Sequence, residues 1–369
     1  MIPILDLTKQ YEQIGQEIEK EVLKVLSSGK YILGENVKKL ENDFAKYIGT
    51  EKALGVASGT DALLLALKAL DIGPGDEVIT VAFTFIATVE AISYVGAKPV
   101  FVDINPDTFN LDINELEKKI TAKTKAIIPV HLYGQPVDMD PIIAIAKKYN
   151  LFIVEDCAQA VGATYKGKKA GALGDIGCFS FFPSKNLGAC GDGGMITTNS
   201  NYLADRILAL RNHGSHVRYY HKEVGYNSRL DEIQAAVLNV KFPHIDRWNS
   251  KRREAAYYYN ELFKGITEIQ TPKELANTSC VYHQYTIQMP ARDKVHETLG
   301  KNGVMAMIYY PVPAHLQEAY NDLGMKEGDL PQTENTTLKV LSLPIFPEIT
   351  REQQKKVADE VIKAINIVN

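Results

Sequence analysis

"SFFPSKNLGACGDGGM", residues 180–195, is the stretch on which the reading of this chain turns. An apolar run ends at Phe182; Pro183 and Ser184 follow, and then a single lysine, Lys185. Gly188, Gly191, Gly193 and Gly194 crowd the next few positions. Lysine is ordinarily a solvated surface charge. This one stands between a strand-like aromatic run and a loop with few side chains. Burial or a nearby cation lowers an amine's pKa and makes it a nucleophile. Glycines let the backbone approach a ligand closely.

Outward from this stretch, strand and helix patterns alternate. "SGTDALLLALKAL" (58–70) reads as a capped helix, "DEVITVAFTF" (76–85) as β-rich, and "ATVEAISYVG" (87–96) as a helix ending on Gly96. "PVFVDI" (99–104) reads as a strand and "DINELEKKI" (112–120) as a helix opened by Asp112. "TKAIIPVHLYG" (124–134) is a strand pattern, "MDPIIAIAKKYN" (139–150) a helix and "LFIVED" (151–156) a strand. Short apolar strands separated by helices predict a largely parallel sheet covered on both faces. The pattern weakens after about residue 240, where "DRWNSKRREAAYYYNELF" (246–263) reads as one long amphipathic helix. We therefore expect one unit over 1–240 and a smaller α+β unit over 241–369, with Pro243 near the join.

Composition bounds the function. A chain of 369 residues, 45% hydrophobic and 23% charged, is long enough for two domains and is not globally disordered. The net charge of -4 and the lack of a long basic run argue against nucleic acid and anionic membranes as partners. Cys157, Cys178, Cys190 and Cys280 are widely spaced, which supports neither a disulfide framework nor a metal site. The N-terminus lacks a signal-peptide pattern, and no apolar run reaches membrane-spanning length, so a cytoplasmic location is expected.

Ligands of open parallel sheets sit beyond the carboxyl ends of the strands. Ser58, Gly59, Thr60 and Asp61 open a helix there, which is either a phosphate site or an ordinary cap. Asp156 ends a strand and would pair with a protonated ring nitrogen or serve as a structural cap; Gln159 shares its face if a helical turn begins there. Phe85, at another strand end, would stack on a flat ring or pack in the core. His131 also ends a strand and is a candidate to line the site. Together with Lys185, a phosphate cradle, a carboxylate and a stacking aromatic specify pyridoxal 5'-phosphate, held as a Schiff base by the lysine. G-x-G-x-x-G, P-loop and H-E-x-x-H patterns are all lacking.

"SGTDALLLAL", "FTFIAT", "EDCAQAVGA", "SFFPSKNLGACGDGGM", "RNHG", "GYNSRLDEIQAAVL" and "YPVPAHLQEAY" resemble the DegT/DnrJ/EryC1 nucleotide-sugar aminotransferases over nearly the whole chain. The resemblance implies an α/β, aspartate-aminotransferase-like fold (pyridoxal-phosphate fold type I). This has a mostly parallel seven-stranded sheet with helices on both faces and a smaller C-terminal α+β domain, on which the N-terminal segment can pack. It implies Lys185 as the Schiff-base lysine, Asp156 on the pyridine nitrogen, Gln159 on the ring oxygen and Phe85 over the ring. Gly59, Thr60 and Ser180 would bind the phosphate, and Asn227 would reach it from the neighbouring subunit of a homodimer. Tyr310, His315 and Gln317 are candidates for the sugar pocket.

The implied reaction carries an amino group from L-glutamate to a keto group of a nucleotide-linked sugar. "GYNSRLDEIQAAVL" with "YPVPAHLQEAY" looks like the branch acting at C3 of dTDP-linked 6-deoxyhexoses, and C4 enzymes of the family more often carry a tyrosine where Ser228 stands. Action at C4 and UDP-linked sugars are the alternatives. Two rivals are a same-fold dehydratase, which has histidine in place of the lysine, and a cofactor-binding regulatory protein without turnover.

Overall fold

The structure, a computed structural model, describes residues 1–368. Its centre is a seven-stranded sheet in the order Lys52–Val56, Gly194–Thr198, Ile176–Ser180, Phe152–Asp156, Thr124–Ile127, Glu77–Val81, Lys98–Val102. Gly194–Thr198 runs antiparallel to both neighbours, and the other pairings are parallel.

Side-chain alternation covers both faces of the sheet. Val154, Ile176, Cys178 and Ile196 point into one core with Leu65 and Leu67 of the helix Gly59–Ala69. Phe179 and Met195 point the other way, against Leu40, Phe44 and Ile48 of the helix Glu35–Ile48. Each such large apolar side chain contributes about 1.5–3 kcal/mol on burial.

A second core surrounds the antiparallel pair Tyr285–Gln288 and Val340–Leu343. It gathers Tyr259, Tyr285, Ile287, Leu299, Leu341 and Val361, and takes in Ile2 from the N-terminus. Ile2 N–H donates to Gly303 O at 2.7 Å, and Ile345 N–H to Ile4 O at 3.2 Å. The helix Ile245–Leu262 joins the two cores: Ile245 packs in the first, and Ala255, Ala256 and Tyr259 in the second.

Three local readings change. "DINELEKKI" forms one α-turn, Ile113–Leu116, capped by Asp112, and then a 3-10 turn, Glu117–Lys119. Its Asp112 cap holds the start, but few of its side chains find a core to extend against. "TKAIIPVHLYG" leaves the strand at Ile127 and ends in a tight turn, Leu132–Gly134. The glycine-rich stretch runs straight into a central strand, because Gly194 sits where Val56 and Ser180 pair with it. A Cβ there would lie 2.3 Å from Ser58 O. Among the described residues, no helix is long and apolar enough to cross a membrane.

Candidate active site

The carboxyl ends of Lys52–Val56, Glu77–Val81, Phe152–Asp156 and Ile176–Ser180 open on one cleft of about 440 Å³. Gly59, Thr60, Phe85, Asp156, Gln159 and Ser180 line it. Lys185, His131 and Tyr310 line it as well. All but Tyr310 meet there because each ends or follows a central strand pointing the same way.

The helix Gly59–Ala69 presents its N-terminus to the cleft. Ser58 caps it, its side chain accepting from Asp61 N–H at 3.0 Å. Helix geometry leaves the N–H groups of the first turn without intrahelical acceptors, at the positive end of the dipole. Gly59 must be a glycine, since a Cβ would come within 2.6 Å of Ser180 Cβ. Ser180 is buried beside it. This is a cradle for an anion of phosphate size.

Asp156 is buried, and its carboxylate is fixed from two sides. Thr88 Oγ1 donates to Oδ2 at 2.8 Å and Ala158 N–H to Oδ1 at 3.1 Å. Thr84 Oγ1 lies 2.9 Å from Thr88 Oγ1. Lys185 keeps part of its side chain open to the cleft, yet the surrounding atoms desolvate the amine. Burial lowers its pKa to about 8, against the opposing charge of Asp156. Gln159 Oε1 accepts from Tyr133 N–H at 2.6 Å, and Nε2 donates to Tyr310 Oη at 3.1 Å, leaving one amide hydrogen free. Tyr133 holds a left-handed φ of 57° to make that contact. Phe85 is 55% exposed, and its ring centroid lies 6.1 Å from that of Tyr310. An aromatic ring so open at a cleft wall is a stacking surface.

His131 lines the cleft but is chemically committed. Its Nε2 lies 3.0 Å from Glu155 Oε2, and its Nδ1 accepts from Val137 N–H at 3.0 Å. The ring is therefore the Nε2-protonated tautomer, with no nitrogen left for substrate. Glu155 is fully buried and also accepts from Gly171, Leu173 and Gly174 N–H at 2.7–2.8 Å. His131, Glu155 and Cys157 hold possible metal-ligand atoms within 4.8 Å of one another. The bonds just described already use those of His131 and Glu155.

His315 and Gln317 do not line this cleft, and Asn227, expected at the partner's site, does not line its own. His315 is buried against Phe101, with Nε2 3.1 Å from Glu334 Oε1. Its backbone follows Ala314, whose N–H is tied to Ala82 O, which turns the side chain inward. Gln317 donates to Val312 O at 3.3 Å and closes its own loop. Asn227 is exposed, accepts from the Arg229 guanidinium, and does not line its own chain's cleft. Ser228 is buried, and its Oγ accepts from Ala57 N–H at 3.2 Å, just before the helix cap.

Thr88, His283, Gln284 and Tyr309 were not picked out from the sequence, although all four line the cleft. His283 is buried beside Asn186 Oδ1, at 3.1 Å from Nδ1. Burial, then the charges of Lys185 and Arg252, push its pKa well below the ordinary histidine range. None of the four had a local signal: Thr84, which Thr88 meets, precedes the helix Ala87–Tyr94, and Asp156 is far away in sequence.

The DegT/DnrJ/EryC1/StrS aminotransferase family matches residues 12–362. The chain belongs to this family. It is 52% identical to a pleiotropic regulatory protein of Geobacillus stearothermophilus, over 98% of this chain and 97% of that one. It is 48% identical to a UDP-N-acetyl-3-dehydro-α-D-glucosamine 3-aminotransferase of Acidithiobacillus ferrooxidans, over 99% and 98%. A dTDP-3-amino-3,6-dideoxy-α-D-galactopyranose transaminase of Aneurinibacillus thermoaerophilus is 46% identical over 98% and 99%. Among solved structures, DesV of S. venezuelae, in complex with a ketimine intermediate, has a TM-score of 0.96 at 44% identity, covering 98% of each chain. NtdA of Bacillus subtilis, with its cofactor PMP bound, has a TM-score of 0.93 at 32% identity, covering 99% of this chain and 85% of that one.

This aminotransferase is thus a pyridoxal-phosphate-dependent transferase with the α/β, aspartate-aminotransferase-like fold. Its cleft fits the cofactor on its own terms. An anion cradle, a buried carboxylate clamped by two donors, an open aromatic face and a lysine amine with a lowered pKa surround one space.

Proposed function

We propose that this aminotransferase moves the amino group of L-glutamate to the C3 keto group of a dTDP-linked 6-deoxyhexose. The observation that carries the reading is Lys185, an amine of pKa about 8 in the same cleft as the clamped Asp156. When bound, the cofactor supplies an aldehyde that carries the amino group and a ring that withdraws electrons.

The chain's own residues do the rest. Gly59, Thr60 and Ser180 hold the phosphate, and Phe85 covers a ring face. Asp156 keeps the ring nitrogen protonated, its position fixed by Thr88. The free amide hydrogen of Gln159 goes to the ring oxygen. Lys185 Nζ would take and hold the proton of the donor's Cα, a role that needs a pKa near working pH. Tyr310 borders the sugar from the side of Gln159. The active unit is a homodimer in which Asn227 completes the partner's phosphate site. The exposed Asn227 supports this, as does the neighbouring loop that holds Val217, Tyr219, Tyr220 and Val224 out in solvent.

The names of two relatives agree on carbon 3 and differ in nucleotide, which favours C3 and keeps UDP-linked sugars as the second reading. A regulatory binder without turnover would hold the cofactor through the same lysine, so turnover of a keto-sugar separates the two readings. Incubation with glutamate and a panel of dTDP- and UDP-linked 3-keto and 4-keto sugars tests the proposal. Mass spectrometry and NMR should find the new amine on C3 of a dTDP-sugar. An amine on C4, or none with any sugar, overturns it.

A further inference from the structure

Arg252, on the helix Ile245–Leu262, is 3% exposed. Its Nη1 donates to the carbonyls of Tyr282, His283 and Ile345 at 3.3, 3.2 and 3.0 Å. Its Nε is buried without a partner, and among the described residues no carboxylate is hydrogen-bonded to it. Burial lowers its pKa to about 10, which leaves it charged at neutral pH. The Glu348 carboxylate favours its charge from a distance without a hydrogen bond, and a buried charge whose counter-ion does not touch it is costly.

Arg252 borders a chamber of about 60 Å³, walled on the far side by Ile4, Leu5 and Ser342. Ser184, His283, Gln284 and Tyr309 line both this chamber and the main cleft, so the two adjoin next to Lys185. Gln284 Oε1 is likewise buried and unpartnered, and turning the amide presents an N–H at that place. The space admits a group of a few heavy atoms and excludes a sugar.

We propose that this chamber receives a carboxylate of the amino donor, with Arg252 as its counter-charge. The proposal rests on the transaminase reading and deepens it. Donor and acceptor must use one cleft in turn. A carboxylate drawn into a side chamber lets the small donor be held firmly while the main cleft stays wide enough for a nucleotide sugar.

Glutarate, an unreactive dicarboxylate, and its neutral diamide glutaramide are the probes, titrated calorimetrically into the holoenzyme. Wild type should bind glutarate and not glutaramide. Arg252→Lys should weaken glutarate roughly 10- to 100-fold, the range for a charge-assisted hydrogen bond. Leu5→Trp fills the chamber without touching the carbonyl contacts of Arg252, and should weaken glutarate similarly. It decides the matter if Arg252→Lys does not fold. Unchanged glutarate affinity in the folded variants overturns the proposal, as does a wild type that does not distinguish the two probes. If wild type also aminates a keto-sugar from glutamate, those results leave transamination standing. Arg252-dependent glutarate binding without turnover of any keto-sugar supports the chamber and sinks the transaminase reading instead.

Discussion

Thr88 Oγ1 donates a 2.8 Å hydrogen bond to Asp156 Oδ2, so a hydroxyl on the helix Ala87–Tyr94 holds the carboxylate at the end of a central strand. Thr88→Val keeps the shape and removes the donor. We expect the variant to fold, to hold cofactor more weakly and to lose about tenfold in turnover, as for one lost hydrogen bond to a charge. Asp156→Asn should lose at least about a hundredfold, since a neutral amide cannot stabilise the ring's positive charge. Single-turnover spectroscopy with glutamate measures both. Equal rates in wild type and Asp156→Asn would reduce Asp156 to a structural cap.

Lys185 should titrate near pH 8, because burial disfavours its charged form. In cofactor-free protein its labelling by an amine-directed reagent should reach half its maximal rate near that pH, while exposed lysines still rise toward 10.5. Stability follows with a definite sign. Between pH 8 and 10.5 the unfolded chain keeps this proton and the folded chain does not, so folding strengthens as pH rises through that window. Cofactor-free wild type should therefore gain stability relative to Lys185→Met from pH 8 to 10.5. A constant difference contradicts the lowered pKa.

Glu155 should matter for folding rather than chemistry. It is fully buried, accepts three backbone N–H groups and faces His131 Nε2. Glu155→Ala strands those donors and should cost about 3 kcal/mol or more. Urea unfolding of the cofactor-free protein measures this. A change under about 1 kcal/mol would mean that water replaces the carboxylate.

The contrast between Asp156 and Glu155 shows what the sequence made legible. Both end the same apolar run, and strand alternation sends them to opposite sides. The sheet's parallel character, the Ser58 cap, and the convergence of Lys185, Asp156 and Phe85 were readable, because each depends on a local pattern or on the rule that strand ends face the ligand. The antiparallel strand Gly194–Thr198 was hidden, since its glycines read as loop and only the paired backbones of Val56 and Ser180 explain them. Thr88, His283 and Arg252 earn their roles from partners far away in sequence, which no local pattern records. His315 misled for the same reason: Glu334 and Phe101 hold it inside the protein.

Asn227 tests the shared site. Lys185→Ala and Asn227→Asp homodimers should each be nearly inactive, the second because its carboxylate repels the phosphate. A heterodimer of the two, purified by different tags, carries one intact site if Asn227 acts across the interface, and should recover up to about half of wild-type activity by that count of sites. If Asn227 serves its own chain, each site keeps one lesion and no activity returns. The Asn227→Asp homodimer must first be shown to fold and dimerise.

The central claim is that Lys185 is the amine that holds the cofactor. Borohydride reduction of the holoenzyme, followed by proteolysis and mass mapping, fixes the pyridoxyl group where it was bonded. The label is expected on the peptide containing "SFFPSKNLGACGDGGM", at Lys185, with no stable label in Lys185→Ala. A label on any other lysine of the wild type would contradict it.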